Sequence, residues 1–115
     1  VEQKRVLNSE TSRLISLMLR DVVDDSLAGG KAKMEHYTLA AKTGTAEIPD
    51  DEGGYYDDRY LHSFFGYFPV TNPKFLVFLY LDNPKGVRYA SETLTEPFVN
   101  ITKFLLNYYE VAPDR

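Results

Sequence analysis

The sequence predicts an α+β fold: a helix, a three-stranded antiparallel sheet and a C-terminal helix packed across it. Three observations carry this. Apolar residues recur at helical spacing over about 10–23 and again over about 95–109. Three strand-like runs, about 37–46, 60–68 and 74–81, lie between them. The last two are separated by only one turn, so they form an antiparallel hairpin.

Residues 1–8 are mixed and read as extended. Ser9 reads as the cap of the first helix, with Glu10 in its first turn, where negative charge suits the helix dipole. Leu14, Ile15, Met18 and Val22 form one stripe, and Leu17, Leu19 and Val23 widen it, so burial on more than one side is expected. Asp24 and Asp25 are unfavourable at a helix C-terminus and place its end near them. Ser26-Leu27-Ala28-Gly29-Gly30 reads as a loop. Glu47 to Asp58, with Pro49, Gly53 and Gly54, reads as a solvated acidic loop. Its acids lack the spacing of a calcium loop. Pro69 to Pro73 is a turn, and Lys74 to Leu81 is apolar enough for an interior strand buried on both faces. In the last helix Pro97 falls in the first turn, and Phe98, Ile101, Leu105 and Tyr108 form its apolar stripe.

Composition narrows the function. The 115 residues suffice for one small domain or part of a larger one. A net charge of −4 offers no basic stripe for phosphates, so nucleic acid is not an expected partner. No apolar run is long enough to span a bilayer. Without cysteine there is neither a disulfide nor a thiolate metal site, and no metal or cofactor is expected. The chain starts at Val1 without an initiator Met. It therefore reads as an excised piece, with any export signal or anchor upstream.

The chemistry centres on Lys42-Thr43-Gly44-Thr45-Ala46. Lys42 supplies a positive charge and three donors. Gly44 lets a ligand approach the backbone closely. The hydroxyls of Thr43 and Thr45 can bond a carboxylate. An edge strand with one solvated lysine has the same pattern, since a three-letter motif is weak by itself. His62 and Ser63 invite a base–nucleophile reading, but neighbours on a strand point to opposite faces. Both His62 and His36 therefore read as structural. The Tyr and Phe residues read as core and cross-strand pairs.

The order of a helix, a loop with Gly29 and Lys31-Ala32, then Tyr37-x-Leu39-Ala40-x-Lys42-Thr43-Gly44-Thr45-Ala46-Glu47 resembles the C-terminal part of a class B penicillin-binding protein transpeptidase. Ser63-Phe64-Phe65-Gly66-Tyr67-Phe68-Pro69, Pro73-Lys74-Phe75 and Pro97-Phe98 continue the resemblance, which covers about 5–113. It implies a partial penicillin-binding-protein and serine β-lactamase-like fold, whose sheet two further strands complete. It also implies a serine in a Ser-x-x-Lys element that attacks the D-Ala-D-Ala end of a peptidoglycan stem peptide. The resulting acyl-enzyme is resolved into a cross-link, and β-lactams mimic the substrate. Lys42, Thr43, Gly44 and Thr45 would bind the substrate, Lys42 and the Thr45 backbone N–H serving catalysis as carboxylate anchor and oxyanion donor.

The departures set the expectations. No Ser-x-x-Lys or Ser-x-Asn element occurs, so none of Ser9, Ser12, Ser16, Ser26, Ser63 and Ser91 is a nucleophile. Ala41 stands where Gly is usual and is expected to narrow the approach to the strand slightly. Ala28-Gly29-Gly30 replaces a common Gly-Thr-Gly-Thr. The parent is expected to be a cell-wall enzyme of division or cell shape on the extracytoplasmic face of a bacterial membrane. The isolated 115 residues are expected to be inactive, and either to self-associate, by pairing at the open sheet edge or by element exchange, or to require the remainder of the domain. The alternatives are a non-catalytic peptide- or partner-binding module of the same fold, or a β-lactamase or β-lactam sensor fragment.

Overall fold

The computed structural model describes residues 3–115, so Val1 and Glu2 of the expected extended segment lie outside the described residues. The elements are α1 (Ser9–Asp21), β1 (Ala40–Pro49), β2 (Tyr55–Phe68), β3 (Phe75–Asp82) and α2 (Ala90–Tyr108). The strands form one antiparallel sheet in the order β1-β2-β3.

The cap of α1 is Asn8 rather than Ser9: its side chain accepts from Thr11 N–H at 2.8 Å. Asn and Ser are near-equal caps, and here the extended residue is Asn8. The α-helix ends at Asp21, and one π-type turn, Val22–Ser26, carries Asp24 and Asp25. Ala28, Gly29 and Gly30 then take positive φ and reverse the chain. No residue of α1 is fully buried, contrary to the expected burial on more than one side. One face lies on the sheet, where Ser16 Oγ and Tyr67 Oη share a 2.7 Å hydrogen bond, while Leu14 and Met18 stay exposed.

Much of the expected acidic loop is strand. β1 continues to Pro49 across an irregularity after Glu47, and β2 starts at Tyr55. Only 50–54 form the turn, closed by the Asp50 side chain accepting from Glu52 N–H and by positive φ at Gly53 and Gly54. Ladder pairing decides this, since the hairpin's acids can all face solvent. The α2 helix starts at Ala90, five residues before the expected start. Tyr89 N–H donates to the Glu92 carboxylate at 3.2 Å and Glu92 N–H donates to Tyr89 O at 3.0 Å, a reciprocal cap built on a tyrosine. Pro97 is therefore interior to α2.

Register defines the two faces of the sheet. Ala41–Gly66–Val77, Thr43–Phe64–Leu79 and Thr45–His62–Leu81 lie in rows across one face. This face is covered by α2. Phe98 stacks on Phe64 at 4.4 Å and meets Phe68 edge-on at 6.1 Å. Gly66 makes room for that ring, because a Cβ there would lie 2.8 Å from Phe98 Cε2. The opposite face carries the rows Ala40–Tyr67–Leu76, Lys42–Phe65–Phe78 and Gly44–Ser63–Tyr80. Here Leu76, Phe78 and Tyr80 are 69%, 60% and 67% exposed. Among the described residues β3 is thus an edge strand covered on one face, not a strand buried on both. Its continuous apolar run has two apolar sides, but only one meets α2.

The C-terminal residues fold back as a clasp. Asp114 accepts from Thr38 N–H (2.7 Å), from the Thr38 hydroxyl and from the Thr71 hydroxyl (2.9 Å). Arg115 forms a paired salt bridge with Asp24. The tail thereby ties the π-type turn to the residues leading into β1.

Candidate functional site

β1 is an edge strand, so its outer side is open along the motif. Lys42 is exposed, and among the described residues its Nζ donates only to the neighbouring Thr43 O, at 2.7 Å. No carboxylate pairs with it among the described residues. A lysine held by one local carbonyl keeps two donors for an anion. Lys42 and Gly44 face the side of the sheet away from α2, beside Phe65 and Ser63, and α1 meets that side at the Ala40–Tyr67 end.

Gly44 has a steric reason as well as a permissive one. A Cβ there would come within 2.5 Å of Ser63 Oγ. Ser63 Oγ lies 3.5 Å from Gly44 O, so it packs beside the motif glycine as its cross-strand neighbour. His62 projects to the other face and is fully buried. Its Nδ1 is 2.8 Å from Thr93 Oγ1 and its Nε2 donates to Arg88 O at 2.8 Å. The two residues are thus directed apart, as strand alternation requires. His36 is exposed, and its carbonyl accepts from Asp114 N–H at 3.1 Å.

The threonines of the motif face α2. Thr45 is exposed, and its Oγ1 accepts from Ala90 N–H, the first helical donor of α2, at 3.0 Å. Thr43 is half-buried opposite Phe64. Ala41 is buried in the core opposite Gly66, so its methyl group does not narrow the approach to the strand. The contribution of α2 to the motif was not legible in the sequence, since only the folded register brings Ala90 to Thr45. A groove of about 1000 Å³ lies elsewhere, between residues 3–7, α1 and the 70–73 turn. Arg5, Arg20, Ser12 and Thr71 are among its lining residues, and none of Lys42 to Thr45 lines it. No helix among the described residues is long and apolar enough to cross a membrane.

Comparison with known proteins agrees with this geometry. The chain is 35% identical to stage V sporulation protein D of Bacillus subtilis over 98% of its length, and 31% identical to the peptidoglycan D,D-transpeptidase FtsI of Buchnera aphidicola (subsp. Baizongia pistaciae) over 96%. It spans 17% and 19% of those proteins. Among solved structures, the transpeptidase domain of penicillin-binding protein 3 from Burkholderia pseudomallei superposes with a TM-score of 0.82 at 28% identity. That match covers 97% of this chain and 34% of that one. Residues 1–103 match the family model of the penicillin binding protein transpeptidase domain. The chain belongs to the penicillin-binding protein transpeptidase domain family.

Proposed function

We propose that these residues are the C-terminal portion of the transpeptidase domain of a peptidoglycan D,D-transpeptidase, which binds penicillin and cross-links stem peptides. One observation carries the proposal. The rows Lys42–Phe65–Phe78 and Gly44–Ser63–Tyr80 put the motif on the same sheet face that leaves Phe78 and Tyr80 uncovered. An uncovered aromatic face of this kind calls for a partner. The remainder of the domain, bearing the nucleophilic serine, would cover it and meet the motif there. The family of transpeptidase domains supports an enzyme over a non-catalytic module or a β-lactamase fragment.

In this reading the serine attacks the peptide carbonyl, and the developing oxyanion is held by two backbone N–H groups. Thr45 supplies one. Loss of one such donor costs roughly 10²–10³ in rate. Lys42 holds the terminal carboxylate by a charge-assisted hydrogen bond, aided by the hydroxyls of Thr43 and Thr45. The substrate lies along the open edge of β1 as an added strand, which Gly44 keeps clear. The substrate puts the parent's catalytic domain on the extracytoplasmic side of the membrane.

Labelling with a fluorescent penicillin tests this. The full-length parent should give a covalent band that unlabelled penicillin competes away. The isolated 115 residues should give none, because they hold no serine followed by lysine at the third position. No adduct on the parent, or a competed band at the mass of the isolated chain, would overturn the reading.

A further inference from the structure

Thr45 and His62 stand directly opposite each other in the β1–β2 register, and both face α2. His62 is fully buried. It grips the start of α2 at two points. Its Nε2 lies 2.8 Å from Arg88 O, and its Nδ1 lies 2.8 Å from Thr93 Oγ1. A carbonyl can only accept, so Nε2 carries the proton. Nδ1 is hydrogen-bonded to the Thr93 hydroxyl, which also lies 3.3 Å from Ala90 O, so the contact reaches the first turn of α2. Between these two anchors sits Ala90, whose N–H donates to Thr45 Oγ1 at 3.0 Å.

The consequence is directional. The oxygen of Thr45 is already engaged as an acceptor by Ala90 N–H. Its own O–H must point away from that donor, and Thr45 is exposed. The bond from Ala90 N–H holds the position of Thr45 Oγ1 and leaves its O–H available to donate to an anionic ligand at the motif. We propose that His62 is a positioning residue: by clamping Arg88 and Thr93 it sets Ala90 N–H, and through it holds Thr45 Oγ1 where its hydroxyl donates to the ligand carboxylate. The proposal rests on the functional reading above and adds to it a residue on the far face of the sheet.

Two ligands distinguish this from a packing role. One is a penicillin with its free carboxylate, and the other is the same penicillin as its methyl ester. Acylation of the full-length parent is followed with each. In His62→Ala the rate with the free carboxylate should fall about tenfold, the scale of one hydrogen bond to a charged group. The rate with the ester should change less than about twofold, since no anion remains to receive the bond. Thr93→Val should act in the same direction, and combining it with His62→Ala should add little, because both remove one clamp. His62→Gln, whose amide can still donate to Arg88 O, should recover part of the loss. If His62→Ala fails to fold, Thr93→Val and His62→Gln carry the same comparison. Equal slowing with both ligands, or no slowing with either, would overturn the proposal. A wild-type parent that is acylated by neither ligand would overturn the functional reading, and the proposal with it.

Discussion

Gly44 lies directly across from Ser63 on the neighbouring strand: a Cβ at position 44 would stand 2.5 Å from the Ser63 hydroxyl oxygen. The motif glycine and the serine across from it therefore form one steric unit. In the parent, Gly44→Ala should lose acylation and about 1 kcal/mol of stability, the scale of a mild overpacking. Adding Ser63→Ala should restore the stability, because the contact is with the hydroxyl and Ala suits a strand better than Gly. It should not restore acylation, since the methyl group still faces the ligand side. Thermal melts and acylation rates of the three variants check this. Recovery of both together would show that Gly44 serves packing alone.

The C-terminal clasp gives a pH dependence. Burial raises the pKa of Asp114, but hydrogen bonds from the hydroxyl and N–H of Thr38 and from Thr71 outweigh it, and hold the carboxyl below its ordinary value. A group whose pKa is depressed on folding contributes stability above its unfolded pKa. That contribution should be complete above the ordinary value of 3.8 and lost as pH falls through the lowered one. Asp114→Asn should cost about 1 kcal/mol at neutral pH, the value of a charge-assisted bond reduced for partial exposure. The wild-type and variant melting curves should converge in acid. A constant difference down to strongly acidic pH would contradict the assignment.

The open edge of β3 and its exposed Leu76, Phe78 and Tyr80 should make the isolated chain self-associate. Sedimentation should show concentration-dependent association, and Phe78→Lys should weaken it. A stable monomer at high concentration with slow amide exchange along 74–81 would contradict this.

Local signals in the sequence were enough to find the elements, but not their edges. Helical spacing in α1 and α2 and the apolar runs of the strands are properties of neighbouring residues. The cap at Tyr89 is not, because tyrosine is a poor cap and its partner is Glu92. The length of β1 and β2 depended on ladder pairing that acidic composition concealed. Apolar composition also left β3 without a side: Leu76 and Val77 read alike, yet only Val77 faces α2. At the candidate site Lys42 and Gly44 were legible as a motif. The packing of Ser63 beside Gly44, and the hold of Ala90 on Thr45, depend on register and on a helix 45 residues away.

The most direct test of the account is Lys42→Ala in the full-length parent, read by both penicillin acylation rate and melting temperature. Lys42 is exposed and, among the described residues, bonds only its neighbour's carbonyl, so its loss should change stability by no more than about 0.5 kcal/mol. A charge-assisted bond to the ligand carboxylate is worth ~1.5–3 kcal/mol, so acylation should slow by about 10- to 100-fold. A large fall in rate with an unchanged melting temperature is the predicted result. Unchanged acylation, or a rate loss accounted for by an equal loss of stability, would contradict the assignment of the motif strand as the ligand site.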